Sequence, residues 1–218
     1  MTRVTTTVFF TACWKSAWTR LLLACLLACS ALLPVRAQPQ AAPGSAEITE
    51  LQLEHADGEL LLSANVQFKL TEQVEDALHK GIPMFFVAEA ELLRERWYWT
   101  DLKVASEARH MRLAYQPLTR RWRLNVGSRP IGNLGQGVAL AQTFDSLAEA
   151  LASVQRLSRW RIASVAGLPG DASSYMLRFR FALDVSQLPR PFQIGAVGQS
   201  EWNISASKTL QLGAEGAR

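Results

Sequence analysis

The sequence predicts a mainly β (α+β) domain, an antiparallel β-sandwich or open barrel of about eight strands with two short helices. Three observations carry this expectation. From Ile48 onward apolar residues recur at every second position, the period of a half-buried strand. Turn residues cut that pattern into short pieces, and only two stretches show the 3.6-residue period of a helix. The 218 residues are 49% hydrophobic and 19% charged, with seven Trp and nine Phe, enough for one sizeable core and without the bias of a disordered or fibrous chain.

Taken in order, Ile48–Glu54 and Leu60–Leu70 read as the first two strands. In the second, Leu60, Leu62, Ala64, Val66, Phe68 and Leu70 alternate with Ser63, Asn65, Gln67 and Lys69. Asp57-Gly58 between them suits a tight hairpin turn. A short helix follows, with Thr71 as its cap. Glu72, Glu75 and Asp76 lie at its positive end, His79 and Lys80 at its negative end, and Gly81 and Pro83 stop it.

Pro83 to Trp99 reads as one long strand whose apolar parity switches after Leu92, so a bulge is expected near Leu92–Arg94. Met111, Leu113 and Tyr115 mark the next strand and Trp122, Leu124 and Val126 the one after, joined by the loop Gln116–Arg120. Gly127 to Gly137 is a Gly- and Asn-rich loop. The second helix starts near Ser146, where Ser146 and Glu149 have capping-box spacing, and Leu147, Leu151 and Val154 form its buried stripe with Leu157 on the shoulder. Trp160–Val165, Tyr175–Val185 and Trp202–Ala206 complete the strands, before a frayed tail at 213–218.

Ahead of this domain, residues 1–37 read as an export signal. Basic residues precede the apolar run Leu21–Leu33, and Val35-Arg36-Ala37 presents small residues at the −3 and −1 positions for cleavage after Ala37. A run of about 13 residues is shorter than the ~20 a spanning helix needs. Two alternatives stay open: an uncleaved anchor, and lipidation at Cys29, because Leu26-Leu27-Ala28-Cys29 loosely matches a lipobox. Residues 38–46 then form a Pro-, Ala- and Gln-rich linker to a single domain at 47–212. The expected location is the periplasm.

The formal charge of +4 belongs to the leader. Four of the 23 basic residues lie there and no acid does, which leaves 19 basic and 19 acidic residues in the rest. A neutral domain excludes the global basic field of a nucleic-acid binder. Cys13, Cys25 and Cys29 also lie in the leader, so disulfides, thiolate zinc sites and cysteine nucleophiles are excluded for the mature domain.

No GxSxG elbow, HExxH pair or calcium-loop spacing is present. Gly132, Gly135 and Gly137 stand in the wrong order for a dinucleotide loop, and Asn203-Ile204-Ser205 matches a glycosylation sequon that needs a eukaryotic secretory route. No cofactor and no metal are expected.

Charge is nonetheless uneven along the chain. Glu47–Asp76 holds eight acids against Lys69, and Arg109–Arg161 holds nine arginines against Asp145 and Glu149. One reading is a basic face, with Arg121 and Arg123 on the outer parity of their strand, docking to an acidic partner or lipid headgroups. The other is cross-strand pairing of the arginines with Glu89, Glu91 and the acidic first hairpin.

Trp97-Tyr98-Trp99, flanked by Arg94 and Arg96, is the sharpest feature, because in a strand the middle ring faces away from its neighbours and an exposed aromatic beside Arg has the composition of a binding hot spot. Core packing with Arg stacked at the rim is the plainer alternative.

The stretch RERWYWTDLK at Arg94–Lys103, with Gly81-Ile82-Pro83, Leu118-Thr119-Arg120 and SQLPRPFQ at Ser186–Gln193, resembles the domain-of-unknown-function 4390 family over Glu47 to Leu212. The family comprises exported proteobacterial proteins, often labelled proline-rich signal peptide proteins. The resemblance supplies no catalytic residue. Its genes often sit beside a membrane sensor-kinase pair of the nitrogen-regulation type, which implies an envelope-signalling role.

The expected function is therefore an exported, non-enzymatic binding module, accessory to an envelope sensor kinase, with Arg94, Arg96, Trp97, Tyr98, Trp99, Arg121 and Arg123 as its surface. It would meet the membrane only through an uncleaved or lipidated leader. The alternatives are a barrel-like carrier of a small apolar ligand and a hydrolase drawing on His55, His79, His110 and nearby acids.

Overall fold

A computed structural model of the chain describes residues 45–94, 96, 98, 101–131, 140–168, 175–196 and 200–212. The chain divides into two units, 1–40 and 41–218, and every described residue belongs to the second. The expected leader, most of the linker and the tail lie outside the described residues.

The described residues form nine strands and three α-helices. They are β1 (Ala46–Ala56), β2 (Glu59–Phe68), α1 (Glu72–His79), β3 (Met84–Arg94), β4 (Leu102–Gln116), β5 (Arg121–Gly127), β6 (Leu140–Phe144), α2 (Leu147–Gln155), β7 (Arg156–Ser164), β8 (Tyr175–Leu183), α3 (Arg190–Ala196) and β9 (Ser205–Gln211). A three-stranded sheet, β1-β2-β7, lies on a six-stranded sheet, β6-β5-β4-β3-β8-β9, with every pairing antiparallel. The arrangement is a sandwich. No closed barrel forms among the described residues, because β6 and β9 are opposite edges of one open sheet.

The alternation that defines each strand also builds the core. In register across the six-stranded sheet, Phe86 faces Leu183, Ala88 faces Phe181 and Ala90 faces Phe179, all buried. The small Ala88 and Ala90 leave room for the Phe rings. Phe68 of the opposite sheet packs there, 5.4 Å from the Phe181 ring and 5.5 Å from Phe86. Aromatic pairs at such spacing contribute about 0.5–1.5 kcal/mol each beyond their area.

The β1–β2 turn is the tight one expected. Asp57 and Gly58 have φ of 54° and 76°, both in the left-handed region that a two-residue type I′ turn requires. Helix α1 ends as expected at Gly81 (φ 84°). Its N–H reaches the Leu78 carbonyl at 2.8 Å, and the Ile82 N–H reaches that of Ala77 at 3.0 Å, a Schellman pair. Thr71 flanks the helix but does not cap it with its side chain; its hydroxyl donates to the Glu201 carbonyl at 3.1 Å. On α2, Ser146 does cap, accepting from the Glu149 N–H at 3.2 Å.

Other expectations are corrected. The bulge falls between Leu92 and Leu93, but the extra residue is Val104 on β4, because Leu92 pairs with Ala105 and Leu93 with Lys103. Strand β3 stops at Arg94 rather than Trp99. Leu157 lies on β7, which begins directly after α2, and Trp202 is in a 3-10 turn before β9. Strand β6 and helix α3 were not anticipated. β6 is a five-residue edge strand with little buried apolar side-chain signal, and α3 opens on Arg190-Pro191 after Pro189.

Candidate functional site

The expected site residues do not form one surface. Arg94 ends β3, paired with Leu102 of β4 and Tyr175 of β8, and is half-buried. Arg96 is exposed, Tyr98 is 64% exposed, and Leu102 beyond them is 38% exposed. Trp97 and Trp99 lie outside the described residues. Arg121 and Arg123 pair with Gln116 and Ala114 at the far end of β4. That strand has 15 residues, so on the order of 40 Å separates the two groups at the ordinary rise per residue.

Cross-strand pairing accounts for some of the arginines, and the acids involved include those expected, the first hairpin, Glu89 and Glu91, although Glu89 and Glu91 take arginines of β8 rather than of the Arg109–Arg161 stretch. Arg159 meets Glu54 at 3.2 Å and Arg161 meets Glu59 at 3.0 Å, so strand β7 pairs two acids of the first hairpin. Glu91 takes Lys103 and Arg178, and Glu89 takes Arg180 at 3.9 Å. Arg121 pairs with Asp145 at 3.3 Å, while Arg123 donates to the Asn125 side-chain oxygen at 3.3 Å. Exposed pairs of this kind stabilise by roughly 0–1 kcal/mol.

The three histidines sit on separate elements: His55 on β1, His79 at the end of α1 and His110 on β4. His79 packs its ring edge-on to Trp122 at 5.2 Å and Tyr115 at 5.7 Å, seating α1 on the sheet. Among the described residues no three His, Cys, Asp or Glu side chains stand close enough to hold a metal ion.

On the outer face of the six-stranded sheet, His110 lies beside Val87 and Gly127. Burial holds its pKa below the ordinary histidine value, against the opposing pull of Asp184 and Glu89. Its Nδ1 is buried with no hydrogen-bond partner among the described residues, as is the Nε of Arg112, whose guanidinium lies 6.0 Å over the Phe85 ring.

The SQLPRPFQ stretch is held by local hydrogen bonds that begin at Asp184. Asp184 accepts from the Ser186 N–H at 3.0 Å and from the Gln187 side chain at 2.6 Å, and Gln193 donates to the Leu188 carbonyl at 2.7 Å. Burial pushes the Asp184 carboxyl up. The hydrogen bonds from Gln187 and Ser186, with the charge of His110, more than offset this and hold it below the usual value.

The residues that sequence reasoning passed over lie between the layers. A cleft of about 370 Å³ opens between the β4–β5–β6 end of the large sheet and the α2–β7 segment, with Arg109, Arg156 and Trp160 among its walls. The signal was present: Arg109 has the parity of Met111 and Leu113, so a cation stands at an inward-facing position.

No helix among the described residues is long and apolar enough to cross a membrane. A family model described as a domain of unknown function (DUF4390) matches residues 44–211. No curated protein and no solved structure matches the chain.

Proposed function

The chain belongs to the DUF4390 family, and on that premise we propose that it is an exported, non-enzymatic interaction module that docks an envelope protein through the Arg94–Leu102 end of its sandwich. The observation that carries this is Tyr98, 64% exposed beside an exposed Arg96. A ring 64% exposed in the bend beyond β3 would bury further apolar surface when a partner covers it. Tyr and Arg are the residues that dominate such contacts. Leu102 at the start of β4 is a second exposed apolar side chain, and Arg96 favours a partner with acidic groups around an apolar socket.

The leader delivers the domain to the periplasm, where the proposed partner is the extracytoplasmic region of a membrane sensor kinase. The reading is tested by placing a photo-crosslinking side chain at position 98 and irradiating intact cells. The expected result is an adduct with the kinase that is lost with Arg96→Ala. Absence of any adduct, or the same adducts from position 118 at the opposite end, overturns it.

A further inference from the structure

The cleft between the layers carries an inference independent of the Tyr98 surface. Five arginines on or beside the sheets, Arg121, Arg159, Arg161, Arg178 and Arg180, each have a carboxylate within 3.0 to 3.9 Å. Several others have none among the described residues, and two of these, Arg109 and Arg156, line the cleft. Arg109 is also the more costly one to leave unpaired. Its guanidinium stands 5.0 Å over the buried Trp160 ring, and burial holds its pKa below the ordinary guanidinium value. A cation that has lost part of its hydration and gained no counter-ion is set to pair with an oxyanion. Beside Arg109 and Arg156 the walls are apolar, through Met111 and Leu157, with Gln142 and Ser153 as the polar edge, their side chains joined at 3.1 Å.

We propose that this cleft binds an anionic amphiphile, a carboxylate or phosphate head held by Arg109 and Arg156 with its apolar chain against Met111, Leu157 and Trp160. The volume, about 370 Å³, falls within the range of small-ligand sites. An uncharged apolar ligand, the cargo expected of a barrel carrier, would leave both guanidinium groups unpaired and would bind less well for that reason.

The test titrates the full chain, as expressed and isolated, with decanoate, decyl phosphate and decanol, following heat and tryptophan fluorescence. At least one of the two anions is expected to bind saturably, and about tenfold or more tighter than decanol. Decanoate alone identifies a free carboxylate as the head, decyl phosphate alone a phosphate, and both the shared oxyanion chemistry. Arg156 is exposed and its replacement leaves the core intact, so Arg156→Gln is expected to weaken the anions about tenfold without changing decanol, while Arg178→Gln, which also removes one charge, changes nothing. Arg109→Lys keeps the charge over Trp160 but loses the planar fork, and is expected to weaken the anions several-fold. Binding of neither anion more tightly than decanol, no saturable binding of either anion, or an Arg156→Gln chain that binds as the parent does would each overturn the proposal.

Discussion

At His110 the cost of burying a titratable group becomes a pH dependence. Burial lowers its folded-state pKa below the ordinary value near 6.5, so between those two values the unfolded chain holds a proton that the folded chain does not. Stability therefore falls as the pH drops through that interval. Asp184 acts the same way at lower pH. Its folded pKa lies below the usual 3.8, so its contribution is present above that value and is lost as the pH falls through the folded one. His110→Val, which adds a β-branched side chain beside Val87, is expected to flatten the decline below pH 6.5, measured as urea midpoints across pH. An unchanged slope would assign the acid sensitivity elsewhere. In the core, Phe181 is fully buried between Phe68 and Phe86, and Phe181→Ala should cost about 3–5 kcal/mol in the same assay. A loss below ~1 kcal/mol would mean that the two sheets are not packed through this cluster.

Helix and strand ends are where local residue chemistry decides structure. Gly81 at φ 84° holds the Schellman pair, and although a Cβ there meets nothing within 4 Å, Gly81→Ala should destabilise by about 1 kcal/mol through backbone strain alone. Ser146→Ala should cost a similar ~1 kcal/mol by orphaning the Glu149 N–H. Both are read as shifts in urea midpoint. These same elements were legible in the sequence, since Asp57-Gly58, Gly81 and Ser146 each signal a conformation that few other residues adopt. The alternation of β2 and β8 was legible because both strands bury one face completely. β6 escaped because four of its five residues are exposed and the fifth, Phe144, is half-buried, leaving no parity to read. Leu157 was misplaced for another reason: α2 runs into β7 without a loop, so the helical period carries one step into the strand. The cleft was legible only in part. Arg109 breaks the inward parity of β4, but which acid, if any, it meets depends on the layer opposite.

For the whole molecule, the two antiparallel sheets explain how a domain without cysteine remains folded. All three cysteines precede residue 38, and the stability rests on a core shared by both layers. Removal of the leader should leave the thermal midpoint insensitive to reductant, whereas a reductant-dependent midpoint would point to a covalent constraint that this fold does not use. The same architecture puts the two proposed sites in separate regions. The Tyr98 end and the Arg121–Arg123 end lie at opposite ends of β4, and the cleft lies between the layers, so the basic middle of the sequence does not form a single basic face. That separation makes the central claim, docking through the Tyr98 end, directly measurable. The decisive measurement is the affinity of the isolated chain for the extracytoplasmic region of the proposed sensor-kinase partner, compared with Tyr98→Ala and with Leu118→Ala. Tyr98→Ala is expected to weaken binding by about 2 kcal/mol, roughly thirtyfold, while Leu118→Ala, fully exposed at the opposite end, leaves it unchanged. Equal affinity of the parent and Tyr98→Ala chains, or no binding by the parent, would contradict the account.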